Sequence, residues 1–231
     1  MNLIILSLVI IGVCRLLPDV CYAFLSKDVH LLNMQNGLAD NTVSAVYKDK
    51  EGFIWFGTRN GLSRYDGRRI TNFERSRSYP SISNLKEVFD GVLAFVDNGV
   101  FSAFDLKKER FLSVVSSSGQ GIPSRGMLQR NDSLVWVISG SELHLMKRCA
   151  SKEGELRLRV QEKYTGWNNQ DNLLVAITYS SDKKSICLID EKGRIILLDA
   201  TNLNSFRVID LGRTGSLSVN SVLYDDGRIW I

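Results

Sequence analysis

The fold is decided by residues 49–67, whose sequence is DKEGFIWFGTRNGLSRYDG. Two dipeptides in it, Asn60-Gly61 and Asp66-Gly67, favour tight β-hairpins because Asn, Asp and Gly tolerate positive φ. The segments around these turns are rich in aromatic and β-branched residues, as short strands are. The stretch and its flanks therefore predict a four-stranded antiparallel unit. Its expected strands are 42–47, 53–58, 62–65 and 70–73.

The same pattern returns along the chain. Residues 221–231 repeat the sequence pattern of residues 44–56, which makes Trp230 equivalent to Trp55. Trp55, Phe95 and Trp136 also occupy matching positions about 40 residues apart, the length of a four-stranded propeller blade. No segment has an apolar period of 3.6 residues over a helical length. We therefore predict an all-β chain that forms an incomplete β-propeller of four-stranded antiparallel blades, with about four blades and the start of a fifth. The expected blades are 36–84, 85–123, 124–165 and 166–212, and 215–231 begins the fifth.

The second strand of each later predicted blade is apolar almost throughout, where a strand with one wet face would alternate. Blades stacked around an axis cover both faces of each sheet, so we expect these strands to be buried on both sides. The large aromatic residues at this position are interpreted as packing anchors between blades, in preference to a role in stacking against a ligand. These anchors are Trp55, Phe95, Trp136 and Trp230.

The first 23 residues have the pattern of an export signal, in which an apolar run at 3–13 precedes the small-residue site Cys21-Tyr22-Ala23. We predict a signal peptide at 1–23 and a periplasmic protein, with a retained anchor as the alternative. Cleavage would leave Cys149 and Cys187, too few for a disulfide scaffold. Cys187 lies in an apolar run and is expected to be a buried thiol, with a Cys149–Cys187 disulfide as the less favoured alternative.

Residues 36–43 and 49–67 closely resemble the two-component-regulator propeller repeat, which is characteristic of the periplasmic sensor region of hybrid two-component system histidine kinases. Residues 218–231 resemble it as well, whereas 85–210 agree in rhythm more than in sequence. The resemblance implies a ligand-sensing domain, an oligosaccharide as the signal and a homodimer in the full-length protein. It also implies more blades, an inner-membrane span and a histidine kinase downstream. The chain is accordingly interpreted as a fragment that ends before them.

Charge and motif content argue against several other functions. The 29 Lys and Arg residues against 25 Asp and Glu give a net charge of +4, and the basic residues are scattered, so no nucleic-acid partner is expected. The two histidines, His30 and His144, lie in no nucleophile motif or metal-ligand spacing. Residues 119–121 lack the Lys-Ser/Thr pair of a phosphate loop. We expect no enzyme activity, metal or cofactor, and we expect His144 to be a partly exposed strand residue.

Ligands of propellers usually bind at one end of the central channel, where the loop before the innermost strand and the turn after the second strand converge. This geometry nominates polar residues that suit a saccharide, with turn formation alone as the alternative explanation of several of them. The candidates are Asp40, Asn41, Arg59, Asn60, Asn84, Asp97 and Asn98.

Two functions are compatible with these features. The favoured one is a periplasmic propeller that senses an oligosaccharide for a two-component signal-transduction system. The alternative is a secreted β-propeller enzyme or scaffold that acts on polysaccharide or protein surfaces.

Overall fold

Short antiparallel strands make up the regular structure of this protein. The computed structural model describes residues 31–74, 82–167, 172–212, 222–225 and 228–230. Within them the regular elements are eighteen β-strands and one 3-10 turn, Met34–Asn36, which confirms the predicted all-β class. The predicted signal peptide at 1–23 and His30 lie outside the described residues. Met1–Leu32 and Asn33–Ile231 form separate units, and every element below belongs to the second.

The strands group into four-stranded blades, each a simple meander from the inner to the outer edge. The first blade contains β1 (Val43–Lys48), β2 (Ile54–Thr58), β3 (Gly61–Tyr65) and β4 (Ile70–Glu74). The second contains β5 (Ile82–Phe89), β6 (Val92–Asp97), β7 (Val100–Asp105) and β8 (Arg110–Ser116). The third contains β9 (Gly126–Asn131), β10 (Leu134–Ser139), β11 (Glu142–Cys149) and β12 (Glu155–Tyr164). The fourth contains β13 (Leu174–Tyr179), β14 (Ser185–Asp190), β15 (Ile195–Asp199) and β16 (Phe206–Ile209).

The predicted strands of the first blade are confirmed to within one residue at each end. The Asn60-Gly61 dipeptide makes the β2–β3 turn, in which Thr58 pairs with Gly61. Gly61 has a φ of +116°, and a Cβ atom there would lie 2.4 Å from the carbonyl oxygen of Phe73. This position therefore accepts no residue larger than glycine without a shift of β4.

The inner strand of the second blade differs in its bounds from the prediction. The expected division at 84/85 falls inside β5, which runs from Ile82 to Phe89. Asn84 adopts a left-handed φ of 52°, and the pairing with β6 shifts between Ser83 and Lys86. Asn84 forms a β-bulge within the strand, because Asn tolerates the left-handed conformation better than most residues.

The outer edges of the second and third blades are joined, which the sequence did not predict. β8 pairs in parallel with β12, from Ser113 opposite Glu155 to Ser116 opposite Leu158. The two blades thereby form one eight-stranded sheet whose end strands are β5 and β9. This pairing covers two outer edges that would otherwise expose unpaired backbone groups.

Each interface between blades has its own apolar core. β6 divides its side chains by alternation: Leu93 and Phe95 pack in the core between the first and second blades, whereas Val92, Ala94 and Val96 pack in the core between the second and third. All six residues of β6 are buried. This confirms the prediction of strands buried on both faces, and each large side chain so buried contributes about 1.5–3 kcal/mol.

β10 and β14 divide their side chains in the same way. On β10, Trp136 packs in the core between the third and fourth blades, whereas Val137 faces the core between the second and third. On β14, Leu188 faces the third blade and Cys187 faces the opposite side. Cys187 is a free, fully buried thiol, and burial raises its pKa to about 12. Cys149, at the end of β11, is also free.

A two-stranded hairpin follows the fourth blade. It consists of β17 (Leu223–Asp225) and β18 (Arg228–Trp230), in antiparallel pairing. Trp55 is opposite Tyr47 in the first blade, so the sequence repeat would place Trp230 opposite Tyr224. Trp230 is instead opposite Leu223, a register that differs by one residue. Trp230 was also expected to be a packing anchor, but its side chain lies outside the part of the protein that the structure describes.

Candidate functional site

A cavity of about 430 Å³ lies among the innermost strands β1, β5 and β13. These are edge strands of their sheets, so they offer unpaired backbone N–H and C=O groups. The volume falls within the range of small-molecule sites. Its wall combines apolar side chains with a few polar ones, as ligand sites do. The lining includes Val43, Ser44, Asn84, Lys86, Ile177 and Val222.

Among the seven site residues predicted from sequence, Asn84 is the one that lines this cavity. Its Nδ2 atom donates to the carbonyl oxygen of Arg125 at 3.1 Å, which links the second and third blades. The bulge in β5 turns this amide toward the next blade, where Gly126 leaves room for it. A Cβ atom on Gly126 would lie 3.6 Å from Oδ1 of Asn84.

The predicted residues of the first blade form a separate loop cluster. Asn60 donates from Nδ2 to the carbonyl oxygen of Ala39 at 3.0 Å, and Oδ1 of Asp40 accepts from the backbone N–H of Thr42 at 2.6 Å. Oδ1 of Asn41 accepts from the N–H of Met34 at 2.8 Å. These hydrogen bonds stabilise the loop before β1. They fit the alternative explanation of these residues, which is that they form turns and do not bind a ligand. Arg59 is exposed beside them.

Asp97 and Asn98 flank the turn between β6 and β7. Asp97 is buried, and its Oδ1 atom accepts a hydrogen bond from Nδ2 of Asn98 at 3.2 Å. Asn98 has a φ of 50°, the left-handed conformation of a tight turn. Neither residue lines the cavity among the inner strands.

Sequence reasoning missed Lys86, which lines the cavity two residues after Asn84. Lys86 is partly buried, and burial lowers the pKa of its ammonium group because the charge loses hydration. The only signal in the sequence was a lysine that lies close to the apolar residues Leu85 and Val88 of the same inner strand. A charged residue in such a strand is informative only once the strand is known to face a cavity.

The described residues contain no group of three or more metal-ligating side chains that could hold an ion. His144 is buried rather than partly exposed as expected, and its Nε2 atom forms a 2.6 Å contact with Oε2 of Glu142. This contact, together with Lys163 nearby, lowers the pKa of the Glu142 carboxyl. None of the helices in the described part of the chain has the length and apolar character to cross a membrane.

Meandering four-stranded blades, cores between neighbouring blades and a cavity among the inner strands define a β-propeller domain. Known structures agree with this class. The β-propeller domain of Cps50 (Swd1) from Myceliophteria thermophila is similar, with 16% identity and a TM-score of 0.52, over 76% of this chain and 57% of that one.

The first repeat identifies the propeller more closely. Residues 37–60 match the two component regulator propeller family, which agrees with the resemblance of the first repeat to that family. The search of curated proteins found no match.

Two structures from B. thetaiotaomicron show the same fold. The extracellular domain of the hybrid two component system BT3049 has 17% identity and a TM-score of 0.60, over 79% of this chain and 24% of that one. The extracellular domain of the one component system BT4673 has 16% identity and a TM-score of 0.63, over 89% and 31%. The chain thus spans roughly a quarter to a third of the length of these two structures.

Proposed function

We propose that this chain is the ligand-sensing propeller of a two-component signal-transduction protein, that it works in the periplasm, and that the cavity among its inner strands binds an oligosaccharide. The observation that carries the proposal is the regulator propeller repeat at 37–60 on a fold whose inner edge strands surround a 430 Å³ cavity. The similar structures from B. thetaiotaomicron are described as extracellular domains, which supports a location outside the cytoplasm.

The cavity has the groups that a hydroxylated ligand needs. Edge strands offer backbone donors and acceptors in rows, and the amide of Asn84 adds a side chain that can both donate and accept. Val43 and Val175 supply apolar wall on either side of the cavity. In the full-length protein we expect binding to change the arrangement of a homodimer and to reach a histidine kinase through a membrane span.

Titration calorimetry of the protein against a panel of neutral and acidic oligosaccharides tests this proposal. The diagnostic variant is Asn84→Gly, which removes the amide but keeps the left-handed backbone that Asn84 requires. Loss of one hydrogen bond is expected to weaken binding about 3- to 10-fold. Absence of heat with every oligosaccharide contradicts the proposal.

Asn98→Gly makes the same chemical change at another left-handed asparagine, which does not line the cavity. Its affinity for the ligand is expected to stay within about 2-fold of the unmodified protein. If Asn98→Gly abolishes binding and Asn84→Gly does not, the ligand binds at the β6–β7 turn and the assignment to the inner-strand cavity is wrong.

A further inference from the structure

A second cavity, of about 580 Å³, lies between the second, third and fourth blades and shares Lys86 with the first. Three cationic residues line it, and each comes from a different blade. Lys86 is on β5, Arg130 is on β9, and Lys183 is in the turn between β13 and β14. Two strands and a turn that are far apart in sequence therefore bring three positive charges to the wall of one cavity.

These three cations differ from several other basic residues of the described part of the chain, which have acidic partners. Arg64, Arg110 and Lys108, for example, form ion pairs with carboxylates at 2.6–3.0 Å. Lys86, Arg130 and Lys183 form no ion pair with any residue that the structure describes.

The acidic residue in the wall of this cavity is engaged elsewhere. Glu87 accepts from Nζ of Lys50 at 3.2 Å and from the backbone N–H of Gly91 at 3.0 Å. Its carboxylate is 6% exposed. The positive charge of the cavity is therefore not balanced by its own wall.

The environment of Lys86 makes its charge costly, whereas Arg130 and Lys183 are exposed. Lys86 is partly buried, and loss of hydration lowers the pKa of its ammonium group. A partly buried charge without a partner is stabilised by a bound counter-ion, because the attraction is stronger where water is excluded.

The guanidinium of Arg130 has a fixed place in the wall. It lies over the ring of Trp136, with 5.1 Å between Cζ and the ring centroid. The indole Nε1 of Trp136 in turn donates to the hydroxyl of Tyr179 at 3.1 Å. Both aromatic residues line the cavity. Trp136 is itself fully buried, so the site combines an oriented planar donor and two lysines with the partly exposed ring of Tyr179.

We propose that this cavity binds the acidic group, a carboxylate or a sulfate, of a saccharide whose ring packs against Tyr179. The assignment of a saccharide rests on the proposed function, whereas the assignment of an acidic group rests on the three cations alone. Arg130 would hold the oxyanion by paired N–H donors, and Lys86 and Lys183 would complete its neutralisation. The volume accommodates a monosaccharide or disaccharide within the usual range of ligand sites.

Calorimetric titration with three probes tests the inference: a hexuronic acid disaccharide, a sulfated disaccharide and a neutral disaccharide of the same linkage. At least one acidic probe is expected to bind 10-fold or more tighter than the neutral one, and its affinity is expected to fall with added salt. Equal affinities for all three probes would overturn the inference and leave the saccharide-sensing proposal intact. If inorganic sulfate binds and no saccharide binds, the cavity is an anion site, and the proposal that its ligand is a saccharide is wrong.

Neighbouring lysines provide a matched pair of variants. Lys183→Gln removes a charge from the cavity wall and is expected to weaken the acidic probe about 5-fold. Lys184→Gln removes the next charge along the chain, which contacts Asp182 at 3.9 Å and lies outside the cavity lining. This second variant is expected to change the affinity less than 2-fold. Equal losses from both variants would show a general charge effect and would overturn the site.

Lys86→Gln is expected to weaken the acidic probe 10-fold or more. The variant removes an unpaired, partly buried charge, so its melting temperature is expected to equal or exceed that of the unmodified protein. A folded Lys86→Gln protein that binds the acidic probe with unchanged affinity would overturn the role of Lys86.

Discussion

At the scale of single residues, the buried indole N–H groups show how the blades are anchored. Nε1 of Trp55 donates to Oδ2 of Asp49 at 2.7 Å, and Oδ1 of Asp49 accepts from the N–H of Phe53 at 2.9 Å. Trp136, at the matching position, donates instead to Tyr179 in the neighbouring blade. In the third blade, a hydroxyl of the neighbouring blade thus takes the place that the turn carboxylate of Asp49 has in the first blade.

The first prediction concerns Asp49. In Asp49→Asn, one of the two side-chain acceptors becomes a donor and faces either the indole N–H or the N–H of Phe53. One buried donor then lacks an acceptor, and we expect the free energy of unfolding to fall by about 1–3 kcal/mol. Urea denaturation followed by tryptophan fluorescence measures this change.

Asp66→Asn is the control for this prediction. Asp66 also accepts backbone hydrogen bonds, from Arg68 and Arg69, but through Oδ1 alone and at an exposed turn. The asparagine retains that acceptor, so we expect a change below about 0.5 kcal/mol. Equal losses in the two variants would show that the buried indole contact is not the cause.

At the scale of whole elements, strand bounds could be predicted from the sequence where a recognisable turn lies between two strands. The strands of the first blade could be placed to within one residue because Asn60-Gly61 and Asp66-Gly67 define two of its hairpins. The parallel pairing of β8 with β12 has no such signal, since it joins the outer edges of two repeats through residues without turn chemistry. The division expected at 84/85 falls inside β5, where Asn84 has the left-handed φ of a bulge.

The next prediction tests the contribution of the β8–β12 pairing. The backbone N–H of Ser113 donates to the carbonyl oxygen of Gly154 at 2.9 Å, and Ser113 is exposed. Ser113→Pro removes this donor and constrains φ, so we expect a loss of about 1–3 kcal/mol in unfolding free energy. Hydrogen exchange of the peptide that covers 155–164 is expected to become faster.

Ser113→Ala keeps the backbone donor and removes only an exposed hydroxyl. We expect its stability to change by less than about 0.5 kcal/mol, with the exchange of 155–164 unchanged. If the proline variant leaves exchange in β12 unaltered, the two outer strands are not paired in solution.

At the scale of the whole molecule, the sequence determines the stacking of the blades better than it determines the site. Alternation along β6, β10 and β14 assigns each apolar side chain to one of two neighbouring cores, and that division is visible in the sequence as an unbroken apolar run. The cations of the second cavity are three single residues, Lys86, Arg130 and Lys183, in three different repeats. Their proximity follows from the packing of neighbouring blades against one another, which no local pattern encodes.

The stacking of the first and second blades provides the last prediction. A Cβ atom on Gly57 of β2 would lie 2.5 Å from Cγ2 of Ile82 on β5. Gly57→Ala therefore overpacks the interface, and we expect it to lower the unfolding free energy by about 1–3 kcal/mol. Gly166 is exposed and has open space around its Cα, so Gly166→Ala is expected to stay within about 0.5 kcal/mol.

A double-mutant cycle identifies the cause of that loss. Ile82→Ala removes the Cγ2 atom that the new methyl group meets, and because Ile82 is fully buried it is expected to cost about 2–5 kcal/mol by itself. If the blades pack as described, the double variant loses less than the sum of the single losses, with a coupling of at least about 0.5 kcal/mol. Strict additivity, measured by urea denaturation of all four proteins, would show that Gly57 and Ile82 do not meet, and that the first two blades stack in another register.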